Sequence, residues 1–94
     1  MSEIQRLVLD VLKPHDPKIV DFTTRLAELE GVEGVNTALI EVDEKVRNLK
    51  VTLEGEIDED RVRERIEEMG GSVHSIDEVA AGDKLVEESK TLQD

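Results

Sequence analysis

The stretch GVEGVNTALIEVDEKVRNLKVTLEG, from Gly31 to Gly55, constrains the fold most. Its second half alternates without a break. Leu49, Val51 and Leu53 fall on one side, and Asn48, Lys50, Thr52 and Glu54 on the other. That two-residue period belongs to a strand with one buried face. The first half, Val35 to Asp43, is apolar on parts of both faces. Asn36, Ala38, Ile40 and Val42 share one side; Val35, Thr37, Leu39, Glu41 and Asp43 share the other. A strand of that kind is covered on both sides. Glu44 to Arg47 is too charged for a strand centre and predicts the turn. No Asn-Gly or Asp-Gly pair is present there, so a connection longer than two residues is expected.

The rest of the chain flanks this hairpin. Ile4 to Leu12 reads as a central strand, with Leu7, Leu9 and Val11 on one face and Arg6, Val8, Asp10 and Leu12 on the other. The segment Lys13-Pro14-His15-Asp16-Pro17 breaks it, because proline removes a backbone donor and restricts its neighbour. Asp16 as N-cap and Pro17 as first residue predict a helix there. It carries Ile19, Phe22, Leu26 and Leu29 at helical spacing, and Gly31 ends it. Asp58 opens a second helix with Val62, Ile66 and Met69 as its apolar stripe, closed by Gly70-Gly71. Ser72 to Ala81 is a more polar, edge-type strand, and residues 82–94 form a tail whose Leu85-Val86 is suited to docking.

The order strand, helix, strand, strand, helix, strand predicts one α+β domain over residues 1–94, with its core in 4–81. Two interleaved right-handed crossovers give the ferredoxin-like βαββαβ sandwich: a four-stranded antiparallel sheet, order 4-1-3-2, with both helices on one face. Simple alternation places Val8 and Leu39 on the uncovered face, which would make that face a subunit interface.

Composition narrows the function classes. The formal net charge is −12. A nucleic-acid binder needs a basic footprint, and an anionic membrane repels such a chain. Cysteine is absent, which excludes thiolate metal sites and thiol nucleophiles. Neither a leader nor a long apolar run is present in these residues, so a cytoplasmic location is expected. Interspersed charges, 38% of residues, also suit a heat-adapted surface.

Two groups of side chains are candidate sites. The chain's two histidines fall near one end of the expected sheet, so His15, Asp16 and His74 are candidate ligands for a transition metal. Asp16 as a helix cap is the simpler account of that residue. Asp10, Glu41, Asp43 and Glu54 are expected on the open face, where carboxylates suit Ca²⁺ or another divalent cation. Pairing with Arg6 and Lys50 on the same face is the competing account. No nucleophile elbow, phosphate-cradling glycine loop or catalytic triad context occurs, so no enzymatic role is expected.

The segments LDVLKPHDP, ELEGVEGVN, IEVDE, LKVTLEG and GGSVHSIDEVAAG, in this order and spacing, resemble the small archaeal proteins of domain-of-unknown-function family 211. That resemblance implies a ferredoxin-like fold and self-assembly into closed homo-oligomeric rings; it implies no activity. GVEGV, the hairpin and the Gly-Gly after the second helix are also similar to heavy-metal-associated domains. Those carry Cys-x-x-Cys where this chain has KPHDP, so only the fold is shared. The expectation is therefore a non-enzymatic ring that binds a cation or ligand, with a metal-dependent role for His15, Asp16 and His74 as the alternative.

Overall fold

The structure, a computed structural model, describes residues 3–89. Its elements are β1 (Ile4–Pro14), α1 (Ile19–Ala27), β2 (Val32–Val42), β3 (Val46–Ile57), α2 (Glu59–Glu68) and β4 (Ser72–Ala81). All pairings are antiparallel and the sheet order is β2-β3-β1-β4, the expected ferredoxin-like arrangement.

The core lies between the helices and one sheet face. Leu7, Leu9 and Val11 of β1 meet Leu53, Val51 and Leu49 of β3 in register. Phe22 and Leu26 from α1 and Val62 and Ile66 from α2 close over them, all essentially buried. Apolar burial of this kind is the main stabilising term of so small a domain. Asp58 caps α2 through its carboxylate, which accepts from the amides of Asp60 and Arg61 at 3.1 and 3.3 Å.

The start of α1 departs from the expected cap. Lys18, not Asp16, holds the N-cap position, in extended geometry and without a side-chain hydrogen bond. β1 runs on to Pro14, so the connecting loop starts later and spends Asp16 and Pro17 in its turn. The hairpin connection is Asp43 to Lys45. The Asp43 carboxylate accepts from the Lys45 and Val46 amides at 2.9 and 3.0 Å and fixes the turn.

Bulges decide which face each side chain takes. In β2 the register passes from Leu39↔Leu49 to Glu41↔Asn48, leaving Ile40 as an extra residue. Leu39 pairs with Leu49 and, in unbroken alternation with Val35 and Thr37, lies on the helix side and not on the open face expected for it; the bulge acts only on the residues after it. Glu41 and Asp43 pass to the open side. Val8 is on the open side, yet it is only 5% exposed, so it offers no apolar patch. The exposed apolar residues lie elsewhere. Leu39, Ile40 and Val42 sit along β2, and Ile76 and Val79 along β4. Ile76 and Val79 oppose Leu9 and Leu7 and so take the helix side. Two helices of 9 and 10 residues leave the lateral margins of that face uncovered.

Candidate functional site

The open face divides into two halves with different chemistry. At the end near the hairpin turn, Asp10, Leu12, Glu41, Asp43, Val46, Asn48 and His74 line a depression of about 240 Å³. The bulge at Ile40 delivers Glu41 and Asp43 to it. A second bulge at His74, between the pairs Asp10↔Ser75 and Val11↔Val73, is what lets that ring reach the same side. Asn48 donates its side-chain amide to the Asp10 carboxylate across the β1–β3 ladder. That contact gives the charged residue in the middle of a central strand a partner.

His15 does not line this depression, but it borders it. Its Nε2 lies 3.3 Å from the carbonyl oxygen of Asp43. The Asp43 carboxyl is held below the usual carboxylate range, first by the Val46 amide and then by that of Lys45. It stays ionised next to the histidine. Asp16 is exposed in the loop before α1 and lies outside the depression. Among the described residues, no three His, Asp or Glu side chains are gathered in a geometry that would hold a metal ion.

Glu54 belongs to the other half. Six residues along β3 from Asn48 is about 20 Å, beyond any shared ligand shell. There Arg6 is the hub. Its guanidinium meets Glu54 at 2.8 Å, Glu78 at 3.3 Å and Glu87 at 2.8 Å. Glu87, then Glu54, raise the Arg6 pKa, and Arg6 in turn lowers that of Glu87. Of the four carboxylates expected on the open face, Asp10, Glu41 and Asp43 line the depression without forming a metal-holding group, and Glu54 is in a salt bridge with Arg6, as the competing account has it.

A buried cation, Lys13, was not foreseen. It points to the helix side, with no exposed surface. Its ammonium donates to the Pro14 carbonyl at 2.7 Å and stands 5.9 Å from the centre of the Phe22 ring. Burial, and then the nearby Arg47, push its pKa down. Its place at an odd-numbered position with Leu7, Leu9 and Val11 was the available signal.

Fold and depression together define a small α+β ferredoxin-like protein with an acidic, histidine-edged hollow on its uncovered sheet face. The chain belongs to domain-of-unknown-function family 211 (DUF211, "Uncharacterized ArCR"), whose model matches residues 5–94. It is also 50% identical over 95 residues to the "Uncharacterized protein MJ0319" of Methanocaldococcus jannaschii, a match covering 100% of this chain and 98% of that protein. Among the described residues, no helix is long and apolar enough to cross a membrane.

Proposed function

We propose that this chain is a non-enzymatic, self-assembling protein whose copies join side by side into a closed ring, with the acidic hollow taking a divalent cation or a small cationic ligand. The observation that carries the reading is the exposure of apolar residues at both lateral margins of one sheet. Leu39, Ile40 and Val42 are 48–58% exposed at one margin, and Ile76 and Val79 are 41% and 52% exposed at the other. Burying such residues against a second copy is favourable. When one margin meets the opposite margin of the next copy, the contact is heterologous and closes into a ring if the rotation fits.

Charge supplies the link to a cation. At −12 per chain, neighbouring copies repel unless the charge is paired, screened or bridged. Asp10, Glu41 and Asp43 are oxygen donors of the type Ca²⁺ takes, but within one chain they are not gathered tightly enough to hold a metal ion, so a cation here would bridge copies and not fill a single-chain site. The experiment is light scattering behind a sizing column, with and without millimolar calcium, against sodium at equal ionic strength. A multiple of the chain mass, more heat-stable in calcium, is expected. A single-chain mass at micromolar concentration would end the assembly reading. Equal melting temperatures in the two salts would reduce the cation's role to screening.

A further inference from the structure

Two residues are buried on a sheet face that no helix covers. Val8 is 5% exposed and Ala80 is 8% exposed. Ala80 pairs directly with Arg6, and Val8 is the next residue of β1 on the same side. Among the described residues, the stretch after β4 reaches this half of the face at the Arg6 side chain. Gly82 turns the chain there: its amide donates to the Glu3 carbonyl at 2.8 Å, and its own carbonyl accepts from the Gln5 side chain. Residues 85–89 then run without regular structure, with Leu85 half-buried. Glu87 closes on Arg6 through two bonds, at 2.8 and 3.2 Å.

We propose that residues 83–89 are a strap over the Arg6 half of the open sheet face, latched by the Arg6–Glu87 ion pair and opened by rising ionic strength. The latch has the properties of a release point. Glu87 is 69% exposed on its side chain, so salt screens it. Arg6 keeps Glu54 and Glu78 when Glu87 leaves, so opening strands no charge. Three carboxylates around one guanidinium also repel one another, which weakens the outermost of them. The strap carries no ladder hydrogen bonds that would resist its release. What its release would open is the Arg6 half of the face, where Val8 lies between Thr52 and Glu78. This inference stands on the single chain and does not depend on ring assembly.

The chain has no cysteine, so Val8→Cys provides a unique reporter. Its rate of labelling by a maleimide is measured at 20 mM and 1 M NaCl, and again with Glu87→Gln added. The expected result is labelling roughly tenfold faster at high salt, with the Glu87→Gln chain fast in both. A rate that salt does not change, or that Glu87→Gln leaves slow, would overturn the strap. So would a rate that falls as protein concentration rises, because a second copy and not the strap would then be the cover. Thr52→Cys, opposite Val8 in the β3 ladder, repeats the test should the Val8 replacement disturb folding.

Discussion

Lys13 lies directly opposite Arg47 in the β1–β3 ladder, so two cations are neighbours on the helix side of a protein with twice as many acidic as basic side chains. Among the described residues, neither has an ion-pair partner. Lys13 is satisfied by backbone carbonyls, and the Nε of Arg47 is buried without an acceptor. A buried unpaired charge costs stability whatever its hydrogen bonds.

The pH dependence of that cost has a definite sign. The folded-state pKa of Lys13 is below the ordinary 10.5, so between the two values the unfolded chain binds more protons. Stability from this residue therefore rises as pH increases through the folded value towards 10.5. Urea midpoints of the parent and of Lys13→Met, measured from pH 7 to 10.5, should draw together, the parent gaining on the variant towards the alkaline end. Parallel profiles would show that Lys13 is not desolvated.

The Asp43 turn has the same sign in a lower pH window, although here it is the charged form that the fold favours. Its folded pKa is depressed below 3.8, so its contribution is present above that value and is lost as pH falls through the lower folded one. Asp43→Ala should speed amide exchange at Lys45 and Val46 at neutral pH, whereas Asp43→Asn, which keeps the acceptor, should change it little. Equal exchange in the alanine variant would remove the turn from the account of the hairpin.

Two glycines of the same hairpin should respond differently. Gly55 has φ +134°, and a Cβ there would collide with the backbone of Gly31 and Glu33. Gly55→Ala is expected to cost about 1–3 kcal/mol. Gly34 has open space around its missing Cβ and no positive φ, so Gly34→Ala should be neutral or stabilising by up to about 1 kcal/mol. Chemical denaturation of the two variants decides the point, and similar losses would contradict the register of β2 on β3.

If the lateral margins join copies, Leu39→Glu and Val79→Glu should each dissociate the assembly. Both residues are about half exposed, so the single chain should remain folded. Circular dichroism alongside light scattering separates the two effects. An intact oligomer in both variants would move the interface elsewhere.

The fold was legible because local signals agreed. Leu49, Val51 and Leu53 alternate, Ile19, Phe22, Leu26 and Leu29 recur at helical spacing, and Asp58 stands where a cap is needed. Asp10, Glu41, Asp43 and His74 line one depression, and among the described residues no three of them are gathered to hold a metal ion. The alternation that grouped Leu39 with Glu41 was interrupted by one extra residue, Ile40, and no local signal in a run of branched and small side chains marks a bulge.

Hydrophobic period and turn chemistry by themselves determined the element order, the antiparallel sheet and its covered face, because each is set by neighbours within a few residues. Only the tertiary structure decided what surrounds Lys13, Glu54 and Val8. Lys13 is buried because α1 folds across the end of β1. Glu54 is claimed by Arg6 because β1 and β3 bring them opposite each other. Glu87, 81 positions along the chain from Arg6, meets it on the face where Val8 and Ala80 are buried. Contacts at such separations depend on strand register, and register is a property of the assembled sheet.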